Sequence, residues 1–215
     1  MKYKNILFDL DGTLTDSYLG ISNSVKYALE KFNILEDRPE NLARFIGPPL
    51  TASFAEFYSF NEADTKKAIA YYQEYFVDKG IFENKLYDDI ETVLRTLNDR
   101  QYACMVATSK PERFALRILR ILKIDRYFAG VVGADEEGGT VSEKDVVIRR
   151  LLEKECLVQQ ETIMVGDRKF DISGAHRNGI DSIAVTYGYG SIDELASCKP
   201  TYLCGSPLDI LNILQ

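Results

Sequence analysis

Two periods of hydrophobic patterning divide the chain. A short apolar run, Ile6-Leu7-Phe8, predicts a strand that breaks into Asp9-Leu10-Asp11-Gly12-Thr13. Nothing alternates over residues 16–80. There Ile21, Val25, Leu29 and Phe32 recur at helical spacing after Asp16-Ser17, and a polar turn over 36–39 leads to a short helical stretch over 42–46 that Gly47-Pro48-Pro49 must stop. Leu50, Phe54, Phe57 and Tyr58 then form one stripe, and Asn61 reads as the cap of a helix carrying Ile69, Tyr72 and Phe76. From Tyr87 onward strands predicted over 103–108, 130–133, 162–166, 182–186 and 201–204 take turns with helices over 90–98, 112–122, 144–155, 171–178, 192–197 and 207–214. Gly179 stands at a C′ position, Ser191 with Glu194 makes a capping box, and Ser206-Pro207 reads as an N-cap followed by proline.

Strand and helix in turn is the pattern of a parallel sheet with right-handed crossovers. The expectation is therefore an α/β protein: a doubly wound, Rossmann-like parallel-sheet core made of residues 1–15 and 81–215, with an all-helical cap over 16–80 inserted after the first strand. Twelve of the 24 aromatic residues fall in that insertion, so they either fill the core of a small bundle or face a ligand, where they could stack on a base.

Composition narrows the partners. A net charge of −7 gives no support to a nucleic-acid-binding role, and a small anionic substrate would need a locally positive site. Cys104, Cys156, Cys198 and Cys204 show no metal-binding or redox spacing, which makes buried free thiols in a reducing cytoplasm the expectation. The first residues run straight into a core strand, and no run of about 18 apolar residues occurs, so neither a signal peptide nor a membrane span is expected.

In an open parallel sheet the ligand sits beyond the carboxyl ends of the strands. Asp9 and Asp11 share a face if the first strand stays extended, forming a hard oxygen site suited to Mg²⁺, and Gly12 lets the backbone bend there. After residues 103–107 come Thr108, Ser109 and Lys110, where a hydroxyl and exposed amides can hold phosphate oxygens. Along Ile163-Met164-Val165-Gly166-Asp167-Arg168-Lys169-Phe170-Asp171, two carboxylates four residues apart can share one metal site. Taken singly, each stretch has an ordinary structural reading: an aspartate in a turn, a threonine capping a helix, or, for Lys144 after the loop 134–140, a solvated lysine. His176 reads as structural or surface, and Tyr187-Gly188-Tyr189-Gly190 as a glycine-rich turn that could border the cleft.

Together, in this order, the four stretches resemble the signatures of the haloacid dehalogenase-like hydrolases, in particular the phosphoglycolate phosphatase-like branch with a helical cap. The resemblance implies an aspartyl-phosphate intermediate on Asp9, a general acid/base at Asp11, and Thr108 with Lys144 on the phosphoryl oxygens. It implies Mg²⁺ held at Asp9, Asp11 and Asp167, with Asp171 supporting it directly or through water, and Gly12, Thr13, Ser109 and Lys110 on the substrate; in the cap, which meets the leaving group, the loop that Gly47-Pro48-Pro49 fixes offers Arg44 as its one candidate cation for a carboxylate. Asp145 departs from the pattern, because relatives often carry proline after the lysine. The function implied is a Mg²⁺-dependent phosphatase of a small phosphorylated metabolite, a nucleoside 5′-monophosphate or phosphoglycolate, acting as a monomer or homodimer. The rivals are a sugar-phosphate mutase and a non-catalytic binding or regulatory protein.

Overall fold

The computed structural model describes residues 2–135 and 143–215; residues 136–140 of the loop predicted before Lys144 lie outside the described residues. In chain order the elements are β1 (Asn5–Phe8), β2 (Thr15–Asp16), α1 (Tyr18–Glu30), α2 (Pro39–Ala43), α3 (Leu50–Tyr58), α4 (Glu62–Asp78), β3 (Lys85–Leu86), α5 (Ile90–Asp99), β4 (Ala103–Pro111), α6 (Glu112–Ile121), β5 (Gly130–Ala134), α7 (Lys144–Lys154), β6 (Thr162–Gly166), α8 (Lys169–Arg177), β7 (Asp181–Val185), α9 (Ile192–Ser197), β8 (Tyr202–Cys204) and α10 (Pro207–Ile213). They divide into two compact units, one of the residues up to Asp16 with Leu86–Gln215, the other Ser17–Lys85. Among the described residues no helix is long and apolar enough to cross a membrane.

The first unit is the expected doubly wound fold. Its six strands run in the order β5-β4-β1-β6-β7-β8, and every pairing is parallel. Chain order reverses at β1, so the crevice beyond the carboxyl ends of β1 and β6 is the topological switch point. In register across the sheet, Leu7, Met105 and Met164 bury one face against Val147, Ile148 and Leu151 of α7 and Ala175 of α8. The alternate residues Ile6 and Phe8 are also fully buried. Strands covered on both faces read as apolar runs, which is why β1 and β6 are uninterrupted in sequence.

Helices α1 to α4 build the second unit, with α1 packed along α4. Asn61 caps α4 as predicted, its Oδ1 accepting from Asp64 N at 2.9 Å. The aromatics of this unit largely pack on one another: Phe45 meets Phe54, Phe57 and Tyr58, while Phe60 meets Phe32, Phe54 and Tyr58.

Several local expectations shift. Helix α2 starts at Pro39 and not at 42, because extended Arg38 hands over to a proline already set for the first helical position. The predicted polar turn before it contains a buried residue, Glu36. Helix α8 begins at Lys169, two residues earlier than expected, because Asp171 is the N3 member of a capping box whose carboxylate accepts from Arg168 N. Ser191 does cap α9, but Glu194 turns its carboxylate to Arg168 and Lys169. All four thiols are free, yet only Cys104 and Cys204 are buried; Cys156 is exposed and Cys198 half-buried.

Candidate active site

The switch point gathers buried acids. Strand β1 ends with Asp9 N donating to Val165 O at 2.9 Å, which keeps β1 and β6 paired to their tips and sets Asp9 beside the residues that follow Gly166. Asp9, Asp167 and Asp171 are all buried, with one carboxylate oxygen from each within 4.8 Å of the others. Lys144, the first residue of α7, reaches into this group although its side chain is only 4% exposed. Its Nζ lies 2.7 Å from Asp9 Oδ1 and 2.9 Å from Asp171 Oδ1, and donates to Ala107 O at 3.1 Å. The prediction for Lys144 rested on resemblance alone, since nothing in its local sequence separates it from a surface lysine.

Asp11, expected among the metal ligands, is not in the carboxylate cluster. Its Oδ2 pairs with Lys110 Nζ at 2.8 Å, and its Oδ1 is buried without a hydrogen bond. The extended geometry that would have aligned it with Asp9 ends at once: β1 stops at Phe8, the chain bends at Leu10 between the two aspartates, and the amides of Leu14 and Thr15 return to Leu10 O. Lys110 is thus engaged by a neighbouring acid. Thr108 is buried, its Oγ accepting from Lys110 N at 3.2 Å, which leaves the hydroxyl proton for a ligand oxygen. Ser109 is half-buried between them.

Gly12 and Thr13, expected on the substrate, turn to Asp167. Thr13 Oγ donates to Asp167 Oδ1 at 3.3 Å, and a Cβ on Gly12 would overlap the Asp167 carboxylate. A grip on the second oxygen was missed: Tyr189 N donates to Asp167 Oδ2 at 2.8 Å. Its signal was the glycine-rich stretch just past β7, where Gly188 and Gly190 have no room for a Cβ against Asp167. His176 is exposed, as expected.

Arg44 and Gly47 belong to the helical unit. Arg44 lies over the Phe57 ring at 3.8 Å and 3.9 Å from Glu56, while Gly47 has φ +105° in its turn. A cavity of about 70 Å³ beside Arg44 is lined by Glu36, Arg38, Asn41 and Tyr58.

The electrostatics in and around the cluster are unbalanced. Four carboxylates (Asp9, Asp11, Asp167, Asp171) face two ammonium groups (Lys110, Lys144), a net charge of −2 largely out of water. Burial pushes the Asp9 carboxyl up to about 6 against the pull of Lys144, with Asp171 and Asp11 adding to the rise. Burial, then the charges of Asp171 and Asp9, hold Asp167 well above the usual carboxylate range. For Lys144 burial works downward, but the charges of Asp171 and Asp9 outweigh it and hold the ammonium above its ordinary range. Asp171 Oδ1 is buried and, though near Lys144, accepts no hydrogen bond. Hard oxygen donors, surplus negative charge and an unsatisfied buried oxygen fit a divalent cation held by Asp9, Asp167 and Asp171.

Known proteins resemble this chain along most of its length. The family described as haloacid dehalogenase-like hydrolase matches residues 6–185. A 5′-nucleotidase of Pseudomonas aeruginosa is 42% identical over 215 residues, covering 100% of this chain and 97% of its own. A phosphoglycolate phosphatase of Aliivibrio fischeri is 30% identical, covering 99% of this chain and 96% of its own. Among solved structures, a predicted phosphatase from Clostridium acetobutylicum superposes with a TM-score of 0.96 at 44% identity, covering 100% of this chain and 99% of that one.

Proposed function

The chain belongs to the haloacid dehalogenase-like hydrolases and is a phosphatase of that family, and we propose that it hydrolyses nucleoside 5′-monophosphates with Mg²⁺ through an aspartyl-phosphate on Asp9. The observation that carries the chemistry is the pairing of two acids with two different partners. Asp9 is held at its Oδ1 by Lys144 and by Leu10 N at 2.7 Å, which leaves Oδ2 to attack phosphorus. Asp11, on Lys110, has Oδ1 unengaged to carry a proton.

Asp9 Oδ2 forms the bond to phosphorus as the ester P–O bond breaks, and Asp11 gives its proton to the leaving oxygen. Asp11 then takes a proton from the water that attacks the aspartyl-phosphate, which frees inorganic phosphate and restores Asp9. Thr108 Oγ and the amides after β4 are suited to donate to the phosphoryl oxygens. Lys144 keeps Asp9 ionised and aimed. Asp9, Asp167 and Asp171 would hold Mg²⁺, which would supply the positive charge that a dianionic phosphate needs to approach these acids.

The helical unit acts as the cap that excludes water and selects the leaving group. Its aromatics, mostly used in packing, give little support to base stacking. The preference for nucleotides rests instead on the 5′-nucleotidase that this chain resembles along nearly its whole length. Phosphoglycolate is the second reading, on the more distant phosphoglycolate phosphatase. Phosphate release from both esters and from a hexose 1-phosphate, with Mg²⁺ and with excess chelator, tests the proposal. The expected result is Mg²⁺-dependent release with the higher kcat/KM for the nucleotide; isomerisation of the hexose phosphate without release would establish the mutase reading.

A further inference from the structure

The loop between β7 and α9 touches the cluster through Tyr189 and the rest of the core unit through Tyr189 and Tyr187. Tyr189 N grips Asp167 Oδ2, and the hydroxyl of the same residue lies 2.8 Å from Asp16 Oδ1 and bonds that of Tyr87. Asp16 ends β2, the last residue of the core unit before the chain enters the helical unit. Two positions earlier, Tyr187 donates its hydroxyl to Thr13 O at 3.0 Å and meets the Tyr87 ring edge-on at 5.0 Å. Thr13 is the residue whose own hydroxyl holds Asp167 Oδ1. Both oxygens of one carboxylate are therefore fixed from this loop, one directly and one through Thr13. Both tyrosines sit beside glycines that a Cβ would drive into Asp167 or, at Gly188, also into Gly12 O.

From this we infer that Tyr189 is a positioning residue for the metal: anchored on Asp16, it holds the main-chain N–H against Asp167 so that this carboxylate is pre-aimed at the cation. The inference rests on the reading of Asp9, Asp167 and Asp171 as the metal site. Free carboxylates rotate, and fixing one before binding removes that freedom; partners that orient a metal ligand are commonly worth about 10–100-fold in affinity or activity when removed. Because Tyr189→Phe leaves the N–H in place and deletes only its anchor, the effect belongs at the lower end of that range.

Mn²⁺ affinity, read as free Mn²⁺ by electron paramagnetic resonance, tests this without turnover. Tyr189→Phe is expected to weaken Mn²⁺ binding about 10-fold. Asp16→Ala, which leaves the Tyr87 contact, is expected to weaken binding less, Asp16→Asn, which keeps an acceptor oxygen, to bind as the wild type, and the double variant Tyr189→Phe/Asp16→Ala to be no weaker than Tyr189→Phe alone. Wild-type affinity in Tyr189→Phe, with binding lost in Asp167→Asn, would overturn the positioning role while leaving the metal site standing. Wild-type affinity in Asp167→Asn would overturn the metal site itself, and the inference with it.

Discussion

Each unit of this protein buries acid, and each handles it differently. In the helical unit Glu36 accepts five hydrogen bonds: from the N, Nε and Nη2 of Arg38, from Asn41 Nδ2 and from Tyr58 OH. Those bonds, led by Arg38, hold its carboxyl below the usual range. In the core unit Asp9 and Asp167 accept from only two donors each among the described residues, and burial holds both above that range. A buried acid with every lone pair engaged organises a fold, whereas a group of buried acids left short of positive charge is completed by something that binds.

Asp9→Asn should have the largest effect. Turnover is expected to fall by at least about 10⁴-fold, since an amide cannot form the phosphoenzyme. The same change in the metal-free protein should raise the melting temperature, because one charge leaves a crowded cluster while Lys144 and Leu10 N keep an acceptor. A metal-free variant that melts below the wild type would show that the cluster is balanced as it stands. Asp11→Asn comes next: it leaves the nucleophile and removes the proton carrier, so phosphate release from a nucleotide should drop about 10²–10⁴-fold. An unchanged rate would place the proton elsewhere.

Asp167→Ala should raise the Mg²⁺ concentration needed for half-maximal activity, and Ca²⁺ should inhibit, because it prefers more ligands at longer distances and misaligns the in-line attack. Full activity in excess chelator would remove the metal from the mechanism. Glu36→Gln should do the reverse of Asp9→Asn and lower the melting temperature. The folded-state pKa of Glu36 lies below its unfolded value of about 4.3, so its contribution is present above that pH and is lost as the pH falls towards the folded value. Acid unfolding curves of wild type and variant should therefore converge below about pH 4, and curves that stay parallel would assign the stability to other groups. The smallest effect is expected from Arg44→Ala. With Arg44 engaged over Phe57, kcat/KM for a nucleotide should change less than about threefold. A larger loss confined to phosphoglycolate would assign Arg44 to that ester's carboxylate.

Much of this was legible in the residues. Periodicity located the strands and helices because a strand covered on both faces and a helix on one must be written in apolar side chains. Asp9, Asp167 and Asp171 could be named because the ends of β1 and β6 lie at the switch point of any sheet with this strand order. Three decisions belonged to the tertiary structure alone. Asp11 left the cluster for Lys110 because the strand ends at Phe8 and the chain bends at Leu10, between the two aspartates, and no spacing rule encodes that bend's direction. Lys144 became buried because α7 starts beside β4, a contact 37 residues apart in sequence. Tyr189 met Asp167 across 22 residues through its main chain, which every residue type shares, so side-chain chemistry could not mark it. Local pattern determines which element a residue joins; which charges meet is settled only when distant elements pack.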